Sequence, residues 1–514
     1  MQINPFLFVP LMLAPPSAAQ EAPLSAIDWL SIQRNAPPVL TQPDTPVAQS
    51  ANVPNVEVMP LDDPGVGGVG LLPSSITGLP PSLWQGSEEA ELIALIEQLG
   101  TRKPTIPALD SLLHTLLLAE AAAPSTDSGE AFLAARIASL QDHGLVAPAE
   151  AMVERVGILT PTLFDQAFDL ALLTGSDAAL CGMLDTTPAL APDLETRIWC
   201  ATRDGDYSRA MTIYQTADAL GQLSDLDSEL LLRFLDPEYG EASSPLRPPV
   251  RPTPLQFRLF EAIGEALPTA PLPLPFATVE LSGDAGWRAQ LQAAERLARA
   301  GAIDDNQLLG VYTSQMRAAS GGIWDRVEAL QRFETALTTG DPGAVSSALE
   351  TVWPQMRTAG LLLPFSNLFA SRLQGLPLSA RAKDIAALAG LLSADYETVA
   401  RGITESADAN HRFLAAVATG TIDMSPPPNL PHAAALLDAW SGRPQAPEDL
   451  SALPSENRLG EALLRSIQRF ESGASGNDAD VTEALRALRA FGLEDVARRS
   501  ALQLAILDME GARR

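Results

Sequence analysis

The sequence predicts an all-α protein, an α-solenoid of stacked helical hairpins with a Pro-rich, largely disordered N-terminal arm. Three observations lead there. Apolar residues recur at helix spacing from Ser87 onward, strand-like alternation is almost absent, and helical stretches end in a glycine followed by an apolar residue.

Residues 1–19 read as an export signal. Phe6 to Ala14 is apolar but too short to span a bilayer, and Ser17-Ala18-Ala19 sets small residues where signal cleavage would fall before Gln20. Met1 to Pro5 departs from the usual pattern in lacking Lys and Arg. No later run approaches the roughly 18 uncharged apolar residues of a membrane span.

Residues 20–86 form the arm, where prolines such as Pro37, Pro38, Pro43 and Pro46 forbid helix interiors. Two apolar islands interrupt it. Leu24, Ile27, Trp29 and Leu30 are candidate partner-binding residues, and docking on the protein's own body is the alternative. Val69 to Trp84 is expected to pack on the protein's own helices. The glycine-rich Gly65 to Gly70 superficially suggests a dinucleotide loop, but no convincing strand precedes it and Pro73 follows.

Residues 87–240 are the first helical block. Ser87, then Glu88 and Glu89, predicts a capped N-terminus, Leu92, Leu95, Ile96 and Leu99 a buried stripe, and Gly100 a stop. Gly144-Leu145, Gly360-Leu361, Gly492-Leu493 and, more weakly, Gly301-Ala302 predict helices that stop sharply and reverse into antiparallel neighbours. Leu194 to Ala217 resembles half a tetratricopeptide repeat. Ala210, Tyr214 and Ala217 match its second helix, and Gly205-Asp206 its turn, while Leu194, Ile198 and Ala201 depart from its first helix. Residues 241–282 are a Pro-rich connector with one helix, Leu255 to Leu267, and residues 283–514 a second helical block. Arg247 and Arg251 in the connector are expected to pair with the protein's own carboxylates.

Formal charge is −29, from 34 Lys and Arg against 63 Asp and Glu. Such a surface repels phosphate backbones and anionic lipids, so nucleic acid is not expected as a partner. Lys103 and Lys383 are the sole lysines, leaving arginine to pair bidentately with carboxylates. Cys181 and Cys200 fit neither a CxxC nor a Cys/His cluster; they are either one disulfide across neighbouring helices or two buried thiols.

Catalytic motifs are missing. His114, His143, His411 and His432 make no local metal pair, and no HExxH, GxSxG, SxxK set or P-loop is present. No cofactor, metal or catalytic residue is therefore predicted. The helical scaffold is similar to that of lytic transglycosylases, but the Glu-Ser pairs Glu405-Ser406 and Glu471-Ser472 lack that family's downstream Gly-Leu-Met-Gln stretch.

Arg197 to Asp206, Arg251 to Pro254 and Gly321 to Arg326 resemble stretches of a family of exported bacterial α-helical proteins of unassigned activity, sometimes labelled antifreeze-glycopeptide-like. The chain lacks the Ala-Ala-Thr repetition that label needs. The resemblance implies an exported location and no particular activity. The expectation is a periplasmic or secreted scaffold or adaptor that binds another envelope protein, is not an enzyme, and has no integral membrane segment once the signal is removed. The alternative is a cell-wall glycan-acting enzyme or a regulator of one. A concave face lined by arginines or aromatics favours the first, and a cleft with close, partly buried carboxylates the second.

Overall fold

The computed structural model describes residues 65–124, 129–157, 159–191, 193–282, 285–317, 319–404 and 407–513. The export signal and the arm residues Leu24, Ile27, Trp29 and Leu30 lie outside them. Among the described residues the chain is all-helical and without a strand, and sequential helices pack as pairs. No helix there is long and apolar enough to cross a membrane.

The glycine stops set the hairpins. Gly144, Gly301, Gly360 and Gly492 take φ of 81°, 62°, 67° and 86°. The following N–H then reaches back to an orphan carbonyl: Leu145 to Leu140, Ala302 to Leu297, Leu361 to Met356 and Leu493 to Leu488, all at 2.9 Å. Ser87 behaves otherwise. The helix after it runs Glu89–Thr101 with Glu88 at its N-cap and continues past Gly100. Ser87 is buried instead, beside the Glu461 carboxylate, next to Gly86, whose N–H donates to Asn457 O at 3.0 Å.

The pair Leu194–Arg203 and Tyr207–Ala219 forms a hairpin through Gly205, with Ala210, Tyr214 and Ala217 buried in it. Cys181, on the preceding helix Ala178–Thr186, is joined to Cys200 by a disulfide with Cα atoms 5.0 Å apart. These helices share an apolar cluster that runs from Phe164 to Phe260 and forms a side lobe.

Apolar packing ignores the proline boundary at 241–282. One cluster draws on both helical blocks, from Leu71 to Ala512. The connector joins it: its helix is Pro254–Ala262, shorter than expected, and Phe257 and Phe276 are buried. Its prolines sit at helix starts and in extended links, while the aromatic residues between them turn inward. Arg247 and Arg251 stand exposed, and no ion pair among the described residues includes them, contrary to expectation.

The array closes on itself. The last helix, Glu494–Glu510, is buried continuously from Ser500 to Leu507, as only a helix surrounded by others can be. It packs against Pro107–Leu118, Ala380–Leu392, Ala409–Thr419 and Asp478–Ala490. Gln503 on this hub accepts the Ala108 N–H at 2.7 Å.

A strap, residues 65–87, completes the closure. Arg136 is fully buried and has carbonyl partners: Nε donates to Leu117 O at 2.9 Å, Nη1 to Val69 O at 2.8 Å and Gly67 O at 3.2 Å, and Nη2 to Ala119 O at 2.8 Å. Burial draws its pKa down to about 9, so the guanidinium stays charged at neutral pH. The glycines seen in the sequence permit this approach. A Cβ on Gly67 would lie 2.7 Å from Gly129 Cα, and one on Gly70 would lie 2.5 Å from Ala119 C. Farther along, Trp84 is buried against Phe132 at 5.4 Å, and Gly460 donates its N–H to Leu83 O at 2.9 Å.

Replacing Arg136 with Met keeps the bulk but strands these carbonyls. Urea unfolding should show a loss of at least about 3 kcal/mol, and Arg136→Lys should recover little of it, since an ammonium cannot span the fork. An unchanged midpoint would mean that apolar burial and the backbone hydrogen bonds of Leu71 and Leu72 to Leu118 hold the strap without Arg136.

Candidate functional site

Four helices end around one cleft of about 980 Å³. They are Glu89–Thr101, Trp287–Arg299, Pro342–Thr358 and the hub. Their C-terminal carbonyls carry partial negative charge, which favours cations in the last turn or just beyond. The cleft accordingly collects Lys103, Arg296, Arg299, Arg357 and Arg513, against the carboxylates Asp110 and Glu510.

Backbone carbonyls hold several of these cations without cancelling their charge. Arg296 donates to Thr269 O at 2.9 Å and Leu272 O at 2.6 Å, and Arg299 to Ala359 O at 3.3 Å. Burial first, and then the neighbouring Arg299 charge, pulls the Arg296 pKa below its ordinary value. Arg357 lies 3.7 Å from Glu510, and Arg513 pairs with Asp508 at 3.0 Å. A second cleft of about 600 Å³ shares Arg296 and Arg299 and adds Arg326 and Trp324, whose ring lies 5.1 Å from that of Trp287. Arg326 is anchored on the buried Glu295, which also accepts the Tyr312 hydroxyl at 2.6 Å.

On the other side of Lys103 lies a cleft of about 1290 Å³ with mixed walls, Arg465 and Arg469 facing Glu471 and Asp480. Glu471 accepts the Thr105 hydroxyl at 2.8 Å, and burial raises its pKa above the usual carboxylate range. The other Glu-Ser pair, Glu405-Ser406, lies outside the described residues.

Asp110 belongs to a second grouping. Asp110 and His114 stand one turn apart on Pro107–Leu118, and His143 caps the C-terminus of Glu130–Asp142. All three are buried. His114 Nε2 and His143 Nε2 lie 3.6 and 3.7 Å from Asp110 Oδ1, and the imidazoles meet edge to face at 5.3 Å. His143 Nδ1 is bound to Ser139 O at 2.7 Å. Burial lowers the His143 pKa to about 4, so its ring is neutral at pH 7.

The sequence-selected residues sit elsewhere. Cys181 and Cys200 are buried in the side lobe, and the arm residues are not described. The histidine grouping escaped sequence reasoning because its imidazoles come from different helices; the Asp110/His114 spacing was its one local signal. The cleft arginines registered only as composition. No protein-family model, curated protein or solved structure matches the chain.

The side lobe carries one further electrostatic feature. Burial, then the charges of Asp165 and Asp193, raise the Asp169 pKa to about 7. Unfolded, this carboxyl ionises near 3.8, so its contribution to stability is full below that pH and is lost as pH rises towards 7. Asp169→Asn should therefore gain on the order of 4 kcal/mol over the native protein at pH 8, and little near pH 4. Paired thermal melts at both pH values check this; a gain of equal size at both would assign it to something other than ionisation.

Proposed function

We propose that the protein is an exported helical scaffold or adaptor, periplasmic or secreted, that binds another cell-envelope protein without catalysis. An acidic segment of that partner enters the basic cleft. The observation that carries this reading is the gathering of Lys103 and four arginines around one cleft of a chain with formal charge −29. The acidic body repels anions at long range, while a low-dielectric concavity focuses the local positive field. Guanidinium groups already oriented by carbonyls can grip carboxylates two hydrogen bonds at a time. The Trp287–Trp324 pair beside the arginines adds an aromatic contact of the kind enriched at interfaces. The apolar arm residues around Trp29 supply a second contact in this reading, on a tether spanning on the order of 35 Å.

A Glu-rich peptide with a fluorescent label is the direct probe. It should bind, weaken steeply with salt, and lose at least roughly tenfold in affinity to a Lys103→Glu/Arg357→Glu variant. Equal binding of a Lys-rich peptide, or no binding of either, discards the cleft. N-terminal sequencing of protein from the native envelope tests export, with Gln20 the expected first residue.

The second reading, a cell-wall glycan-acting enzyme or its regulator, is favoured by Glu471. A carboxyl raised by burial at the wall of a large cleft has the character of a general acid. Turnover of purified peptidoglycan that vanishes in Glu471→Gln would establish it over the scaffold reading. Absence of turnover by the native protein leaves binding as the function.

A further inference from the structure

We propose that Asp110, His114 and His143 form a binding site for one divalent transition-metal ion of the zinc class. The inference does not rest on the ligand proposed for the basic cleft, although Asp110 also lines that cleft.

The helices place the ligands. Asp110 and His114 at i and i+4 project from one face of Pro107–Leu118. His143 arrives from the neighbouring helix Glu130–Asp142, and the left-handed Gly144 directly after it fixes its place. One ligand atom from each residue lies within 4.8 Å of the other two. In a tetrahedral zinc site with bonds of about 2.0–2.2 Å, ligand atoms stand roughly 3.3–3.6 Å apart. The separations of 3.6 and 3.7 Å from Asp110 Oδ1 to the two Nε2 atoms match that spacing, and are too long for hydrogen bonds between those atoms.

His143 supplies the independent observation. Its ring is 0% exposed, and Nε2 has no hydrogen-bond partner although it points at the Asp110 carboxylate. A buried polar atom left this way is destabilising, and a metal ion would satisfy it. The far side of the same ring is already arranged for the purpose. Nδ1–H donates to Ser139 O, which leaves the Nε2 lone pair facing inward, the usual outer-shell support of a metal-binding imidazole.

Ligand chemistry selects the ion. Two imidazoles and one carboxylate suit zinc and its first-row neighbours; they offer too few oxygens for calcium or magnesium and no sulfur for copper(I). Entry is available, because Asp110 lines the cleft of about 980 Å³, and with His114 lines another of about 420 Å³. An exchangeable water or a ligand group would complete the coordination from that side.

The test uses full-length protein stripped with a chelator and titrated with zinc chloride by calorimetry, with thermal melting in parallel. One equivalent should bind and raise the melting temperature. His143→Ala should weaken binding at least roughly a hundredfold, and Asp110→Asn roughly tenfold. His432→Ala, at a histidine held between Asp478 and Asp508 and not among the three proposed ligands, should leave the stoichiometry at one. Cobalt(II) provides a readout without any variant: the native protein should show the intense visible bands of a low-coordinate site. Absence of a stoichiometric zinc event, or a folded His143→Ala protein with native affinity, overturns the proposal. If His143→Ala fails to fold, a weak octahedral cobalt spectrum in the native protein overturns it and a tetrahedral one supports it.

Discussion

The buried guanidinium of Arg136 is the contact on which the closure of this molecule depends. Its donors bridge the strap, at Gly67 and Val69, and the end of the Pro107–Leu118 helix, at Leu117 and Ala119, beside direct backbone bonds such as Leu71 N–H to Leu118 O at 2.9 Å and Glu120 N–H to Leu72 O at 2.9 Å. A cation removed from water this completely is tolerated only where oxygen atoms replace its hydration. Those oxygens converge because Gly67 and Gly70 let backbone meet backbone without a side chain between them. The ring of Phe132 lies 5.5 Å from the guanidinium, and Trp84 meets that ring edge to face at 5.4 Å. From Trp84 the chain of contacts reaches Gly460 and so joins the first helices to the last.

Much of the helical design was legible because it rests on local rules. A glycine after an apolar stripe, followed by an apolar residue, ends the helix at Gly144, Gly360 and Gly492, although the same pattern at Gly310-Val311 and Gly390-Leu391 lies inside a helix. The side-lobe hairpin through Gly205 was legible from another local pattern, the small-aromatic-small spacing of Ala210, Tyr214 and Ala217 after a Gly-Asp turn. Closure was not, since it is set by contacts between residues hundreds of positions apart. The Thr105 hydroxyl on Glu471 and the Ala108 N–H on Gln503 leave no local trace. Tertiary demand also displaced local chemistry at Ser87, which carries an ideal capping hydroxyl yet turns it towards Glu461.

The same limit applied to function. Proline-rich chain at 241–282 suggested a boundary, but Phe257 and Phe276 knit it into the core. The cleft arginines could not be told from the other arginines of the sequence, because what distinguishes them is where their helices stop. Helix ends bring cations for reasons of backbone electrostatics, and four ends brought together make a positive basin on a negative molecule. A site of this kind needs no motif: it is a by-product of architecture before it is a binding surface.

The position of the hub in the chain has a consequence for biosynthesis. Glu494–Glu510 follows every helix that surrounds it, so a growing chain makes the shell before the axle. Until that segment emerges, Pro107–Leu118 and Ala380–Leu392 lack one of the helices they pack against. Vectorial synthesis thus holds the central core open to the end, and contacts of such long sequence separation are slow to find. A chain of this design would stay loose at its centre until Glu494–Glu510 had packed between the helices that precede it.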